Sequence, residues 1–372
     1  MSVQSDKRLM KGNEAIAEAA IRAGCVAYFG YPITPQNELI AWMADRMPEL
    51  GRVFIQAESE ISAVNMVYGA ASTGARAMTS SSSPGISLKQ EGISYAAGAD
   101  IPFVYVNMVR GGPGLGSIAP AQSDYIQSTR GGGHGDYRVI VLAPNSVQEA
   151  ADLTYCAFDL AEKWRMPVLI LGDGVIGQMM EGVELPPMRD PDSLPAASDW
   201  AVGKMSSTSG GSTSPNTSAG IRSARHITSL ELVPEILEEK IRSRFQRYSH
   251  VEREETRYEE TFCDDAELIV VAYGTSARVA LGAVRLARDA GLKAGLLRPI
   301  TLWPFPSAAL SAAADRGSSF LSVEMSMGQM RDDIRLSVKD RVPVDLLSHA
   351  GGVVPSEEEV FERIHAILGG KE

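Results

Sequence analysis

The first half of the chain alternates short, predominantly apolar runs with helical stretches of small residues. The apolar runs lie at residues 26–29, 53–55, 101–109, 139–142 and 168–171. Such runs are typical of parallel strands, whose two faces are both covered by helices. The pattern predicts a doubly wound α/β domain with its first helix at residues 12–23 and another at residues 59–74.

The composition changes beyond this region. Residues 204–220 are rich in serine, threonine and glycine, which predicts a mobile linker or surface loop, and residues 233–260 are densely charged, which predicts a solvated connecting helix. A strand, a glycine turn, an amphipathic helix and another strand then follow from Ala266 onward. We therefore divide the chain into residues 1–190, 191–262 and 263–372.

Charge and composition exclude several classes of function. The net charge of -11 argues against a general affinity for nucleic acid, which depends on clustered Lys and Arg. No apolar run approaches the roughly 20 residues of a membrane helix, and the opening residues lack a signal core, so we expect no membrane partner and a cytoplasmic location.

The three cysteines are Cys25, Cys156 and Cys263, and they are far apart in the sequence. This spacing predicts neither a disulfide framework nor a metal site. An iron–sulfur cluster usually needs about four thiolates at close spacing. We therefore expect any electron-transfer centre to lie on another subunit.

Loops with distinctive chemistry follow the predicted strands, at the edge where open α/β sheets bind ligands. Tyr31–Pro35 follows the first strand, and its two prolines restrict the backbone around Thr34. The Thr34 hydroxyl can donate to a ligand oxygen, or the residue can cap a helix that has Pro35 at its first position. Ser80–Ser83 with Pro84 and Gly85 predicts a second loop, where glycine permits close approach to a ligand; a simple polar turn is the alternative.

Glu60 lies in the first turn of the predicted helix at residues 59–74, beside the positive end of the helix dipole. Apolar Ile61 and Val64 follow it, so we expect the carboxyl group to enter a buried surface that favours its protonated form. A partly protonated carboxyl group can donate to a ring nitrogen and transfer a proton. A plain surface glutamate is the alternative.

Arg110 follows the apolar run 101–109, and the adjacent glycines leave room for a ligand. A guanidinium in this position suits a bidentate grip on a carboxylate, although a surface salt bridge is also possible. The string Gly114-x-Gly116-x-x-Ala119 has the form of a dinucleotide-binding fingerprint. Prolines bracket it, so we expect no long helix to open there and do not favour that interpretation.

A resemblance to the alpha subunit of 2-oxoacid:ferredoxin oxidoreductases is carried, in chain order, by YPITP, AESEISAVNMVYGAASTGA, SSSPGISL and VRGGPG, and then by VVAYGTSA, LRPITLWPFP and VEMSMGQMRDDIRLSV. It covers nearly the whole chain. The segments MVRGGPGLGSIAPAQSDY and GGGHGDYRVIVLAP look most like the branched-chain type, which acts on 2-oxoisovalerate. The resemblance implies a thiamine-diphosphate-binding, transketolase-like pyrimidine domain that is doubly wound, followed by a smaller transketolase C-terminal-like α/β domain.

The resemblance also implies an activity and its partners. The family decarboxylates a 2-oxoacid oxidatively to acyl-CoA and CO₂ and reduces ferredoxin, with coenzyme A as co-substrate. Thiamine diphosphate is shared with a beta subunit, which binds the diphosphate and Mg²⁺ and carries a [4Fe–4S] cluster. Gamma and delta ferredoxin-like subunits often add clusters. This chain alone is therefore expected to be inactive and to hold no metal.

Roles for individual residues follow from the same resemblance. Glu60 falls at the catalytic glutamate that hydrogen-bonds the pyrimidine ring, and Thr34 and Arg110 fall at the positions that bind the substrate carboxylate. The implied cofactor contacts lie in the two loops described above: Tyr31, Pro32, Ile33, Ser83 and Gly85.

Two further motifs have weaker support. Gly172-Asp173-Gly174 begins like the magnesium–diphosphate motif of thiamine enzymes, but no Asn occurs between Asp173 and Asn216 to complete it, so we favour a turn after the last strand. His134 in the glycine-rich loop could transfer protons near neutral pH, although a structural loop histidine is favoured.

Three alternatives stay open. The chain could belong to a 2-oxoglutarate or pyruvate enzyme of the same architecture, and a second carboxylate would then need Arg130 or Arg138 beside Arg110. A non-catalytic scaffold subunit would only complete an interface. A nicotinamide-dependent dehydrogenase that uses the Gly114 string would bind its cofactor as an isolated chain.

Overall fold

The computed structural model describes residues 7–194, 197, 200–202 and 227–369. The serine-rich segment 204–220, for which a linker is predicted, lies outside these residues. The described strands are β1 (Arg8–Lys11), β2 (Ala27–Gly30), β3 (Val53–Gln56), β4 (Ala77–Ser81), β5 (Val104–Val109), β6 (Ile140–Leu142), β7 (Val168–Asp173), β8 (Met180–Val183), β9 (Tyr258–Thr261), β10 (Leu268–Val271), β11 (Ala294–Pro299), β12 (Thr301–Trp303), β13 (Ser319–Glu324) and β14 (Val344–Ser348).

The described helices are α1 (Gly12–Arg22), α2 (Asn37–Glu49), α3 (Glu60–Ser72), α4 (Ser83–Gly98), α5 (Tyr125–Arg130), α6 (Val147–Trp164), α7 (Gly174–Gln178), α8 (Pro234–Glu254), α9 (Gly274–Asp289), α10 (Ser307–Asp315), α11 (Gln329–Val338) and α12 (Glu357–Leu368). Several begin at a side chain that accepts a hydrogen bond from the first turn, as Ser59 does for α3, Ser146 for α6 and Ser356 for α12. Such caps satisfy amide groups that have no partner within the helix.

The larger sheet has seven strands in the order β12-β6-β7-β5-β4-β2-β3. All its neighbouring pairs are parallel except β12 with β6. The observed β2, β3, β5, β6 and β7 overlap the predicted apolar runs, and α1 and α3 overlap the predicted helices, which confirms the doubly wound arrangement. The chain leaves β2 for β3 on one side and returns to β4 on the other, so the crevice for a ligand lies at the carboxyl ends of these strands.

The prediction of a loop over Ser80–Ser83 is wrong at both ends. Ser80 and Ser81 end strand β4, and Ser83 already begins helix α4. Strand β4 was not predicted from the sequence because it lacks a continuous apolar run. Three of its buried positions, including Thr79, have hydroxyl side chains. Hydrogen bonds to other buried groups compensate the polarity of two of them: Ser80 Oγ lies 2.5 Å from Tyr28 Oη, and Thr79 Oγ1 accepts from Lys89 Nζ at 2.8 Å.

The smaller sheet has five strands in the order β14-β13-β10-β11-β9, of which only β9 runs antiparallel to its neighbour. Helices α9 and α12 pack together over an apolar core on this sheet. Two strands join sheets that the domain boundary predicted at residue 263 does not assign to them. Strand β9 comes from the predicted linker region, and β12 comes from the C-terminal region but extends the larger sheet.

Helix α8 is the connecting helix predicted from the charged region 233–260. Most of its side chains are exposed, and its buried residues are Arg244, Tyr248 and Val251. Arg244 donates to the carbonyl oxygen of Gly98 at 2.9 Å, which holds α8 against the larger sheet's domain. Along the described ranges, no helix combines the length and apolar character needed to cross a membrane.

Gln122 joins the two sheets through a dense set of hydrogen bonds. Its Nε2 donates to the Tyr273 carbonyl oxygen at 2.8 Å, and its Oε1 accepts from Ser276 Oγ and the Met325 amide, both at 2.9 Å. Its own amide donates to the Met325 carbonyl oxygen at 2.9 Å. The carboxyl ends of strands in both sheets are therefore fixed relative to one another.

We expect Gln122→Ala to lower the free energy of unfolding by about 3 kcal/mol, because it leaves buried amide and carbonyl groups without partners. Gln148→Ala on the solvent side of α6 is the matched control, with an expected change below about 1 kcal/mol. Urea denaturation of the two variants measures this difference. Equal midpoints would contradict the role assigned to Gln122.

Candidate active site

The predicted site residues come together at the switch point of the larger sheet. The Tyr31–Pro35 loop follows β2, Glu60 follows β3, Ser83 follows β4 and Arg110 follows β5. The cluster is continuous through the first turn of α4, because Ser83 contacts Arg110 and Gly85 contacts Glu60. Residues separated by up to a fifth of the chain thus form one site.

Arg110 is a buried cation with unused hydrogen-bonding capacity. Its side chain donates to the Thr34 carbonyl oxygen at 3.0 Å and to the Leu115 carbonyl oxygen at 3.4 Å. The residue is only 7% exposed, and its buried Nε has no acceptor among the described residues. No described carboxylate pairs with it, so the structure does not support the surface salt bridge considered above. A buried guanidinium without a counter-ion suits an anionic ligand.

Thr34 lies beside this guanidinium in a loop and not at the start of a helix. Helix α2 begins at Asn37, so the alternative in which Thr34 caps a helix with Pro35 at its first position is wrong. The Thr34 hydroxyl accepts from Asn37 Nδ2 at 3.3 Å and can still donate to a ligand. Tyr31 is partly exposed in the same loop.

Glu60 is the first residue of α3 and is 6% exposed, as the apolar residues around it predict. Among the described residues, none donates a hydrogen bond to its carboxylate. The side chain packs against Gly85, where an added Cβ would lie 2.6 Å from Glu60 Oε1 and 2.1 Å from Ser81 Oγ. Glycine at this position is therefore necessary for the carboxylate to occupy its place.

Two polar residues that the sequence analysis missed, Asn107 and Asp124, are connected to the first turn of α4. The Ser83 amide donates to Asn107 Oδ1 at 3.0 Å, and Asn107 Nδ2 donates to Asp124 Oδ2 at 2.9 Å. Burial raises the pKa of Asp124. The hydroxyls of Ser81 and Ser82 are buried, with no partner among the described residues. Asn107 could have been noticed in the sequence, because it is the one side-chain amide within the apolar run that forms β5.

Lys89 is the least expected residue of this region. It lies one turn after Gly85 on the buried face of α4, and its Nζ donates to Thr79 Oγ1 at 2.8 Å. Burial lowers the pKa of Lys89 to about 7, and the charge of Glu60 acts in the opposite direction. Its position between buried Ile86 and Ile93 is the signal that sequence analysis overlooked.

The other sequence motifs lie outside this cluster. Asp173 caps α7 and accepts from Thr275 Oγ1 at 2.8 Å, so it links the two sheets as a structural turn residue. The segment between β5 and α5, which contains the Gly114 string, has no helix, so it offers no helix N-terminus to a dinucleotide. His134 is exposed in the glycine-rich loop, and its role as a proton donor stays a prediction.

Comparison with known proteins identifies the family. The family model described as pyruvate flavodoxin/ferredoxin oxidoreductase, thiamine-diphosphate-binding, matches residues 18–239, and the model for pyruvate:ferredoxin oxidoreductase core domain II matches residues 266–360. The fold and the first family model define an α/β protein with a thiamine-diphosphate-binding domain. The chain belongs to the 2-oxoacid:ferredoxin oxidoreductase family and is an oxidoreductase subunit, which confirms the resemblance and fold class predicted from the sequence.

Individual relatives refine this picture. Ketoisovalerate oxidoreductase subunit VorB of Methanothermobacter marburgensis is 49% identical over 97% of this chain and 98% of its own length. The 2-oxoglutarate synthase subunit KorA of Methanothermobacter thermautotrophicus is 37% identical, with coverage of 97% and 98%.

Solved structures agree on the fold. A 2-oxoglutarate:ferredoxin oxidoreductase from Magnetococcus marinus, described with 2-oxoglutarate, coenzyme A and succinyl-CoA bound, matches with a TM-score of 0.83 at 26% identity. That match covers 97% of this chain and 65% of the other. A split-gene transketolase matches over 98% of this chain and 99% of its own, with a TM-score of 0.58 at 12% identity, which shows a shared fold alone.

We expect Gly85→Ala to lower kcat by about 100-fold while the complex still assembles, because the added methyl group displaces the Glu60 carboxylate. Gly69→Ala on α3 is the matched control, since an added Cβ there meets nothing within 4 Å. Steady-state turnover of both variants in the assembled enzyme measures the effect. Normal turnover of Gly85→Ala would contradict the importance of this contact.

Proposed function

We propose that this chain is the alpha subunit of a 2-oxoisovalerate:ferredoxin oxidoreductase. The observation that carries the proposal is the buried guanidinium of Arg110, which has no carboxylate partner among the described residues, at the same sheet edge as the buried carboxylate of Glu60. Arg110 and the Thr34 hydroxyl bind the carboxylate of the 2-oxoacid. Glu60 hydrogen-bonds the aminopyrimidine of thiamine diphosphate and exchanges a proton with it.

The residues present fit this cofactor. The Glu60 carboxylate lacks a donor among the described residues, and the neighbouring Ser81 and Ser82 hydroxyls are buried without partners. The missing side chain of Gly85 leaves room for the carboxylate of Glu60, since an added Cβ would lie 2.6 Å from Glu60 Oε1. When bound, thiamine diphosphate supplies the carbanion and the electron sink for decarboxylation. The chain's own contribution is to orient both reactants, through the Tyr31–Ile33 loop and the first turn of α4, and to exclude water.

Two other arginines already have partners within the chain, which favours a substrate with a single carboxylate. Arg130 pairs with Asp333, and Arg138 donates to the carbonyl oxygens of Arg130 and Tyr137 at 3.3 and 2.9 Å. These were the two cations considered for the second carboxylate of 2-oxoglutarate. The higher identity to a ketoisovalerate oxidoreductase subunit supports the same choice and also favours 2-oxoisovalerate over pyruvate.

Partner subunits complete the proposed enzyme. A beta subunit binds the diphosphate and Mg²⁺ and carries the [4Fe–4S] cluster, gamma and delta ferredoxin-like subunits supply further clusters, and ferredoxin accepts the electrons. Apolar side chains exposed on β3, α3 and α4 support such an interface, namely Ile55, Ile61, Leu88 and Tyr95. Coenzyme A accepts the acyl group. A cytoplasmic location belongs to this proposal, since ferredoxin and coenzyme A are cytoplasmic reactants.

Substrate choice is tested by anaerobic, coenzyme A-dependent reduction of a viologen dye by the assembled complex, with 2-oxoisovalerate, 2-oxoglutarate and pyruvate compared. We expect 2-oxoisovalerate to give the highest kcat/KM. Arg110→Lys should raise its KM about tenfold through loss of the planar fork, whereas the matched variant Arg138→Lys should not change it. Preference for 2-oxoglutarate, with a KM raised by Arg138→Lys, would contradict the single-carboxylate site.

The scaffold alternative is tested at Glu60. We expect Glu60→Gln to lower kcat at least about 100-fold with assembly unchanged, because the amide cannot exchange a proton. Glu58→Gln is the control, since Glu58 lies two residues away with an exposed side chain. Size-exclusion chromatography and the viologen assay separate assembly from turnover. Full activity of an intact Glu60→Gln complex would favour the scaffold.

A further inference from the structure

The loop that follows Arg110, residues 111–119, contacts the guanidinium of that residue, and most of the loop is exposed. We call it the arginine loop. Arg110 Nη2 donates to the Leu115 carbonyl oxygen at 3.4 Å, one of the two acceptors of this side chain among the described residues. The Gly111 amide donates to the Ala119 carbonyl oxygen at 2.9 Å, which closes the loop at its base. The shape of the arginine loop therefore determines where one acceptor of the guanidinium lies.

A turn of the smaller domain packs directly on the arginine loop. The turn consists of Gly351 and Gly352, which follow strand β14. Ser117 Oγ donates to the Gly351 carbonyl oxygen at 3.1 Å, across 234 residues of chain. An added Cβ at Gly111 would lie 2.9 Å from the Gly351 carbonyl carbon, and one at Gly352 would lie 2.3 Å from Ala119 Cβ. Glycines on both sides of the contact thus permit the close approach of the two segments.

Gly352 meets two separate requirements of this contact. Its φ is +115° and that of Gly351 is +68°, both in a region that other residues rarely adopt, so the turn itself favours glycine. The 2.3 Å approach to Ala119 is an additional requirement, and it comes from the arginine loop and not from the turn. Experiment can separate the two, because Gly317 has φ +92° and an added Cβ there meets nothing within 4 Å.

We propose that the Gly351–Gly352 turn positions the guanidinium of Arg110, because it holds the arginine loop in the shape that places the Leu115 carbonyl oxygen against this side chain. The inference rests on the proposed function, in which Arg110 binds the substrate carboxylate. A bidentate grip needs the guanidinium donors aimed at the carboxylate, so a small displacement weakens it. Gly352 is thus a positioning residue that acts through the arginine loop, and the smaller domain takes part in substrate binding.

The place of the turn predicts which kinetic constant changes. The Glu60 side chain packs against Gly85 in the first turn of α4, whereas the Gly351–Gly352 turn packs on the loop that contacts Arg110. A change at the turn should therefore weaken binding of the 2-oxoacid and leave the proton exchange of Glu60 in place. A raised KM with a nearly unchanged kcat is the signature of such a loss of binding.

The first test is Gly352→Ala in the assembled complex, assayed by viologen reduction with the preferred 2-oxoacid. We expect its KM to rise about tenfold and its kcat to stay within about twofold of the wild type, because the new methyl group displaces the arginine loop. Gly317→Ala is the matched control, which introduces a similarly unfavourable backbone conformation without a close contact, and its KM should not change. An unchanged KM in an assembled Gly352→Ala complex, or an equal rise in both variants, overturns the proposal.

The second test restores the space between the two segments. Adding Ala119→Gly to Gly352→Ala removes the methyl group that the new side chain meets, while the strain within the turn remains. We expect the KM of this double variant to return to within about threefold of that of Ala119→Gly alone. A KM as high in the double variant as in Gly352→Ala would assign the effect to strain within the turn, which overturns the proposal.

The third test asks whether the effect passes through Arg110. The planar guanidinium is absent in Arg110→Lys, so adding Gly352→Ala to that variant should raise KM by less than about twofold more. A further rise of about tenfold would show that the turn and Arg110 act independently, and it overturns the proposal.

If Gly352→Ala does not assemble, Ser117→Ala decides the matter, because it removes the hydrogen bond to Gly351 and adds no atom. We expect this loss of one hydrogen bond to raise KM about threefold with kcat unchanged. An unchanged KM in an assembled Ser117→Ala complex overturns the proposal.

The two proposals fail in different ways. A wild-type complex that oxidises none of the three 2-oxoacids overturns the proposed function. A wild-type complex whose KM is raised by Arg110→Lys, beside a Gly352→Ala complex with the wild-type KM, overturns only the role of the turn.

Discussion

The contact between Glu60 and the first turn of α4 is the constraint on which the site depends. Strand β3 and strand β4 each lead into a helix at the switch point, and an added Cβ at Gly85 would clash with the side chains of Glu60 and Ser81. Further along, Gly92 of α4 packs on Val64 of α3, where an added Cβ would lie 2.6 Å from Val64 Cγ1. The close approach thus runs along both helices, and it places the Glu60 carboxylate without any hydrogen bond from a described residue.

A second constraint holds the two sheets together behind this site. Gln122 lies 13 residues after the end of β5. Both polar atoms of its side chain form hydrogen bonds to Tyr273 and Met325, which follow strands β10 and β13 of the smaller sheet. Asp173, the last residue of β7, makes a similar connection by accepting a hydrogen bond from Thr275. Because Arg110 also follows β5, motion of the smaller domain against the larger one would disturb the segment that carries the guanidinium.

The sequence predicts those parts of the molecule that depend on local pattern. Apolar runs predict β5 and β7. Arg110 and Glu60 are polar residues that follow predicted strands, so they are expected at the carboxyl edge of the sheet, where the ends of parallel strands meet. Strand β4 is not predicted, since its buried Thr79 and Ser80 hydroxyls depend on partners elsewhere in the chain, such as Lys89 and Tyr28. Lys89 is also missed, because a lysine on a helix is normally expected to be exposed to solvent.

The site contains charges that its own chain leaves incompletely compensated. Arg110 has no counter-ion among the described residues, Glu60 has no hydrogen-bond donor there, and Lys89 has only a neutral acceptor. Each of these lowers the stability of the isolated fold, and natural sequences tolerate such departures mainly where function requires them. In the proposed function, a substrate carboxylate neutralises Arg110, and a ring nitrogen of the cofactor supplies the missing partner of Glu60. Binding therefore stabilises the same groups that destabilise the empty site, which couples the affinity for both ligands to the burial of the cluster.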